Sequence, residues 1–395
     1  MSAAPPTASS RLPRTIWALG LVSLFMDVSS EMIHALLPVF LTVSLGASVA
    51  VVGVIEGVAE STAAIVKIFS GYASDRLGRR KPFILLGYGL GAVSKPFFAL
   101  AAAPGFVFAA RFMDRIGKGL RGSPRDAIVA DVTAPEMRGR AYGLRQALDT
   151  AGAFAGPLLA IALMALFAND MRKVFWVALA PAMIAVLLVV YGVKEAREKA
   201  DGEAARAPVR LAEIPRLPRA FWSVVAIGVL FTLARFSEAF LILKAAAGGL
   251  AIGLTPLVLV VMNAVYMLLA YPAGAWSDRA PAKTVLLSGL GALVAADLVL
   301  AFAPGIGGAF VGIALWGAHM ALTQGLFAKM IAETAPERLR GSAFGVFHLL
   351  TGIAMLAASV VAGLLWEKLG ASATFLAGGG FAIVAGAMLV VRRAS

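Results

Sequence analysis

The sequence predicts an all-α integral membrane protein: twelve transmembrane helices in two pseudo-symmetric six-helix halves. Three observations carry this expectation. Of 395 residues, 60% are hydrophobic and 14% charged, against about 25% charged in a soluble domain, and the mean hydropathy is +0.86. So little polar surface does not cover a globular exterior, which excludes a soluble enzyme and a disordered or fibrous chain. Apolar runs near the ~20 residues needed to cross a bilayer recur along the whole chain. The basic residues gather in alternate connections between those runs.

Taken in order, the spans are expected over 15–44, 48–72, 82–103, 105–127, 140–168 and 173–192, and then over 219–246, 254–276, 284–303, 307–331, 342–366 and 372–391. The polar, proline-rich residues 1–14 lack a cleavable-signal pattern and read as a disordered tail. Arg76, Arg79, Arg80 and Lys81 fall between spans two and three, and Arg121, Arg125, Arg138 and Arg140 surround the gap between spans four and five. Lys194, Arg197, Lys199, Arg206, Arg210, Arg216 and Arg219 lie between spans six and seven, and Arg392 and Arg393 close the chain. The opposite connections are nearly bare, with Arg172, Lys173 and Lys368 as their clearest cations. By the positive-inside rule both termini are then cytoplasmic, in a bacterial inner membrane. The net charge of +13 is thus a topology signal, and nucleic acid is not called for as a partner. Cysteine is absent, so disulfides, thiolate metal sites and cysteine nucleophiles are excluded.

The expected organisation is a tail (1–14), a six-helix half (15–192), a charged cytoplasmic linker (193–218), a second six-helix half (219–391) and a short tail (392–395). The two sides of the linker resemble one another. GYASDR at 71–76 recurs as GAWSDR at 274–279, and TAPEMRGRAYG at 133–143 recurs as TAPERLRGSAFG at 334–345. Duplicated halves with a substrate path between them at mid-membrane are a transporter architecture.

These motifs resemble those of the major facilitator superfamily across essentially the whole chain, within a prokaryotic branch with twelve helices. Gly71, Asp75, Arg76, Gly78, Arg79 and Arg80 stand where its loop 2–3 signature has them. The second copy keeps Gly274, Asp278 and Arg279 but has Pro281 and Ala282 where a glycine and a base are expected. Arg111, Gly117 and Gly119 resemble the fourth-helix signature, from which Asp114, Arg115 and Lys118 depart. Gly143, Gly152, Gly156 and Pro157 follow the fifth-helix spacing associated with antiporters, with Ala160 and Ile161 replacing its last glycines. The resemblance implies the major facilitator fold and a gating role for these residues. In it, Asp75 pairs with a nearby arginine and holds the halves together on the inside when the outside is open; Arg121 or Arg125 on helix four is the expected partner here. Gly152 and Gly156 allow close backbone approach, either for ordinary packing or for gating.

Ionisable residues inside spans are costly and commonly functional. Asp27, Glu31 and His34 share one face of helix one, and Glu56, Glu60 and Lys67 one face of helix two. Helix three adds Lys95, helix four Arg111, Asp114, Arg115 and Lys118, and helix five Arg145 and Asp149. Six acids (Asp27, Glu31, Glu56, Glu60, Asp114, Asp149) offset six bases (Lys67, Lys95, Arg111, Arg115, Lys118, Arg145). A paired network lining a wet cavity follows, serving either as fixed structural pairs or as a titrating site. Asp27 and Glu31, then Glu60 and Asp149, are the proton-coupling candidates. His34, Lys95, Arg111, Asp114, Arg115, Lys118, Arg145, Arg235, Glu238, Trp316 and His319 are the substrate-cavity candidates. By the pseudo-symmetry the resemblance implies, helices one and seven face one another, so that Arg235 and Glu238 meet Asp27 and Glu31 or clasp substrate.

The expected function is a proton-coupled secondary transporter of a small organic solute, exporting it by antiport; the alternative is symport of a small organic anion, motivated by Arg115, Lys118 and Arg235. Transport of a metal ion, with Asp27, Glu31 and His34 as ligands, and a non-transporting receptor rank below these. The chain is not expected to be an enzyme, because neither a P-loop nor nucleophile–histidine spacing is present. No cofactor or resident metal is expected, and the functional unit is expected to be a monomer whose partners are substrate, protons and lipid.

Overall fold

The computed structural model describes residues 12–194, 211–336 and 339–391. Residues 1–11 of the expected tail, most of the linker (with Arg197, Lys199, Arg206 and Arg210) and Arg392 and Arg393 lie outside the described residues.

The first half contains α1 (Arg14–Ser44), α2 (Val49–Leu77), α3 (Lys81–Leu100), α4 (Pro104–Val132), α5 (Pro135–Leu166) and α6 (Met171–Gly192). The second contains α7 (Arg219–Ala247), α8 (Ile252–Arg279), α9 (Ala282–Phe302), α10 (Gly305–Thr334), α11 (Arg340–Leu369) and α12 (Ala371–Val391). No strand occurs among the described residues. Eleven of the twelve are long and apolar enough to cross a membrane. The exception is α4, whose 29 residues are long enough at about 1.5 Å each but carry too many charges. It also runs five residues beyond its expected end, to Val132.

Local chemistry sets the helix ends. Ser48 caps α2, its Oγ accepting from the Val51 N–H at 3.4 Å, and Gly78 ends that helix in the left-handed conformation (φ +64°), which glycine adopts without strain. Helix α6 is interrupted only at Ala178, and three other helices are broken more widely. The regular helix of α1 stops at His34 before a short turn and a π-helical stretch. Helix α7 opens between Ala234 and Ala239, and α10 between Thr323 and Leu326 with Gly325 at φ +75°.

The two halves meet closely at the end away from the α2–α3 loop. A Cβ on Gly53 would stand 2.3 Å from the Ser359 carbonyl, and one on Gly363 would stand 2.9 Å from both the Val49 carbonyl and the Ala50 Cα. Glu367 accepts the Ala50 N–H at 3.1 Å, and Ala35 and Val39 of α1 join the core of the second half. That second half has one continuous apolar core. In the first half the core is divided: one cluster surrounds Met32, Phe40, Phe98 and Phe175, another surrounds Leu19, Met26, Tyr88 and Val189. Most of the intramembrane charge lies between them.

Candidate functional site: a charged belt and an aromatic cavity

The belt begins on α1, where Glu31 and His34, three residues apart, stand 3.3 Å from carboxylate to Nδ1. The other ring nitrogen of His34 is 3.7 Å from Glu56 on α2. Arg111 of α4 donates to Glu56 at 2.8 Å and lies 3.8 Å from Glu60. Arg115, one turn on, meets Glu60 at 3.2 Å and Asp114 at 3.7 Å. Lys95 of α3 closes the series, donating to Asp114 and to Ser30 Oγ, each at 3.0 Å. Lys95, Arg111, Asp114 and Arg115 are each 1–2% exposed. Charges so deeply buried survive only when paired and hydrogen-bonded, and here each base meets at least one acid.

A second cluster lies toward the α2–α3 loop. Asp149 of α5 is 3.7 Å from Arg125 and 3.8 Å from Arg145, and both arginines also reach Asp126, at 3.5 and 3.7 Å. Arg125 donates further to Ser23 Oγ at 2.8 Å. Asp27 of α1 lies near Asp149, with Lys118 and Arg121 among the charges around it. The α5 glycines make this approach close. A Cβ on Gly152 would meet the Leu24 carbonyl at 2.5 Å and Asp27 Cβ at 3.0 Å; one on Gly156 would meet the Val28 carbonyl at 2.8 Å and Glu31 Cβ at 2.9 Å. Both glycines thus press α5 onto the face of α1 that bears its two acids, with Pro157 buried beside them.

At the α2–α3 loop Asp75 meets neither Arg121 nor Arg125 in this arrangement. Asp75 pairs with Arg80 at 3.2 Å, a base of its own signature, and Arg80 also pairs with Asp131 of α4. Arg121 instead lies over the Tyr88 ring, 4.6 Å from its centroid, and Arg125 is taken up by Asp126 and Asp149. Gly87 causes the first displacement by letting α4 so close to α3 that Arg121 packs against that turn. Gly71 faces Ser123 of α4, while Arg76 and Arg79 are exposed.

The second half supplies the opposing wall. A cavity of about 400 Å³ is lined by Phe231 and Arg235 of α7, Tyr266 of α8, Gln324 and Phe327 of α10, and Phe347 and His348 of α11, among others. An adjoining one of about 330 Å³ is lined by Glu60, Lys67 and Lys118 of the first half and Thr232 and Thr351 of the second. The first draws on α7, α8, α10 and α11, the second on α2, α4, α7 and α11. Tyr266 donates to Gln324 Oε1. The break in α7 places Arg235 and Glu238 at its two ends, both half-buried, with His34, Glu60 and Glu31 among the charges near Glu238. The contact across to the first half is made by a residue between them, Ser237, whose Oγ donates to Glu56 at 3.4 Å.

Trp316 and His319 are corrected as cavity candidates. Both are fully buried inside the second half, Trp316 against Phe236 with centroids 5.5 Å apart, and His319 Nδ1 3.0 Å or less from its partner, the Gly289 carbonyl, at 2.9 Å. Trp316 thus packs on α7, and His319 lies between Gly289 of α9 and Phe231 of α7, behind the cavity wall. Sequence reasoning passed over Asp297 of α9, which is 1% exposed and has both carboxylate oxygens without a hydrogen-bond partner, beside Gly378. A single acid in the apolar run 284–303 is the signal that marks it.

A sequence profile of the Major Facilitator Superfamily matches residues 19–262 and 241–395. The MFS-type transporter MJ1317 of Methanocaldococcus jannaschii is 30% identical over 389 residues, covering 96% of this chain and 95% of that protein. The multidrug resistance protein MdtH of Edwardsiella ictaluri is 34% identical over 158 residues, which is 39% of this chain and 38% of that one. In fold, the chain is similar to a POT family transporter solved in complex with 5-aminolevulinic acid, with a TM-score of 0.78 and 14% identity over 98% of this chain and 97% of that one.

Proposed function

Because the chain belongs to the major facilitator superfamily, and so is a multi-pass membrane transporter and not an enzyme, we propose that it is a proton-coupled secondary transporter that exports a small organic solute by antiport with alternating access. The observation that carries the reading is the packing of Asp27 against α5 at Gly152, where an added Cβ would stand 3.0 Å from Asp27 Cβ, one turn from Asp149. Two carboxylates brought near one another repel when both are ionised, and one shared proton removes that repulsion. Arg125 and Arg145 flank Asp149 at 3.7 and 3.8 Å, so a small movement of α5 along α1 exchanges a proton-holding partner for a cationic one. Glu31 and Glu60 are engaged by His34 and Arg115 and follow this pair as coupling sites. The α2–α3 loop end, with its basic residues, is the cytoplasmic face of a bacterial inner membrane, and both termini lie there. The closed end at Gly53 and Gly363 then makes this an inward-open arrangement of the halves 15–192 and 219–391, joined by the linker 193–218. Gly71, Asp75, Arg76, Gly78, Arg79, Arg80 and Arg125 form the cytoplasmic gate, with Gly152, Gly156 and Pro157 as the sliding surface, and one chain suffices. The partial relative named for multidrug resistance supports export.

Purified protein in liposomes, with a substrate found by a thermal-shift screen, tests this. Asp27→Asn and Asp149→Asn should keep substrate counterflow and lose gradient-driven transport. Full gradient-driven transport in both variants contradicts the assignment. A second reading, symport of an organic anion, is favoured by the cavity-lining cations Arg235 and Lys118; substrate moving in parallel with protons selects it over antiport.

A further inference from the structure

Of the bases that line the two cavities, Lys67 meets Asp126 at 4.0 Å, and two are not taken by an acid. Among the described residues, Lys118 of α4 and Arg235 of α7 make no ion pair with a carboxylate. Lys118 is exposed to its cavity and Arg235 half-buried in its own. The two cavities adjoin along α7, where Thr232 lines one and its chain neighbour Phe231, with Arg235 at the break, lines the other. Glu60 lines the same space but is held by Arg115 at 3.2 Å. Glu238, at the far end of the α7 break, lies in the field of His34 as well as of Arg235. The wall beside Arg235 is aromatic: Phe231 and Phe327 have centroids 5.0 Å apart, and Phe327 stacks on Phe347 at 5.7 Å.

Resting on the transport reading above, we infer that the solute is an organic anion bearing a flat, apolar ring, its carboxylate or phosphate held by Arg235 and Lys118 and its ring seated against Phe231, Phe327 and Phe347. The two cations come from opposite halves, so an anion between them draws the halves together on the open side. A guanidinium offers a fork that fits a carboxylate or phosphate, and a cavity of some 400 Å³ lies in the range that encloses a small organic ligand. An organic cation finds the opposite of what it needs, since Glu60 is already neutralised and the free charges repel it.

Equilibrium binding to the purified full chain tests this with three probes of similar shape, 2-naphthoate, 2-naphthamide and 2-naphthylmethylammonium, and with inorganic phosphate as a ringless anion. 2-Naphthoate should bind saturably, and 2-naphthamide and the ammonium at least about tenfold more weakly, the size expected for losing a charge-assisted hydrogen bond. Weaker binding of inorganic phosphate than of naphthoate reports the ring contribution. Arg235→Gln and Lys118→Gln should each weaken naphthoate about tenfold or more, and Arg235→Lys should restore part of the loss, with monodisperse elution confirming that the variants fold. Equal or tighter binding of the ammonium overturns the proposal, as does naphthoate binding unmoved by both substitutions or absent altogether. Loss of proton coupling in Asp27→Asn is read separately, with whichever solute is transported, so the substrate class and the transport reading fail independently.

Discussion

Arg111 shows what a single residue does in the belt. It is 2% exposed and joins two acids of α2, Glu56 at 2.8 Å and Glu60 at 3.8 Å. Removing one partner of a buried pair leaves an uncompensated charge, so Arg111→Met should cost about 3–5 kcal/mol, read as a lowered thermal midpoint in detergent. Adding Glu56→Gln should recover part of the loss; a single variant as stable as the parent contradicts the pairing. Which residues carry charge inside the spans was legible in the sequence, because an acid in an apolar run is conspicuous. Which acid meets which base was not, since Asp75 meets Arg80 rather than Arg121 only through the close packing of α3 on α4. Asp297 marks the other side of this limit: it is conspicuous in sequence, but its unpartnered state depends on the surrounding helices.

At the scale of elements, spans were legible to within several residues because helix length is set by the bilayer. Their interruptions were not. The break in α7 falls in FTLARFSEAF, which contains neither glycine nor proline. It persists because tertiary partners take the freed backbone groups, the Ser237 N–H donating to Ser359 Oγ at 3.3 Å. The start of α6 is a local matter by contrast. Asp170 caps it, accepting from the N–H groups of Arg172 and Lys173 at 3.1 and 3.3 Å. Slight burial raises its pKa, but the hydrogen bonds from Lys173 and Arg172 and the Lys173 charge outweigh that and hold the carboxyl below its ordinary value. Asp170→Ala should cost about 1 kcal/mol. The lowered folded-state pKa means that the contribution is full above the ordinary aspartate value and is lost as pH falls through the folded one. Parent and variant should therefore differ at neutral pH and converge in acid; a difference independent of pH contradicts the cap.

For the whole molecule, the twofold repeat and the six-plus-six arrangement were legible from motifs about 200 residues apart, while the conformation was not, because one sequence serves every state of a moving protein. The closed end rests on backbone contact at Gly53 and Gly363, where even a methyl group would meet the opposite main chain. Gly363→Leu should hold that end apart. The chain has no cysteine, so cysteines introduced at Ala50 and Leu364 report on it directly. They should react with a water-soluble maleimide several-fold faster in the Gly363→Leu background, and unchanged labelling contradicts closure at this point.

The charge density of α4 also bears on how the chain enters its membrane. On the scale of translocon insertion, an arginine, lysine or aspartate near the centre of a helix costs about 2.5–3.5 kcal/mol. Arg111, Asp114, Arg115 and Lys118 together thus oppose insertion by on the order of 10 kcal/mol. Helix α4 emerges from the ribosome after α2 and α3, which bring Glu56, Glu60 and Lys95, the residues that pair with it in the finished protein. The belt between the two apolar clusters thus bears on assembly as well as on the finished fold: α2 and α3, made first, carry the counter-charges that lower the cost of placing α4 in lipid.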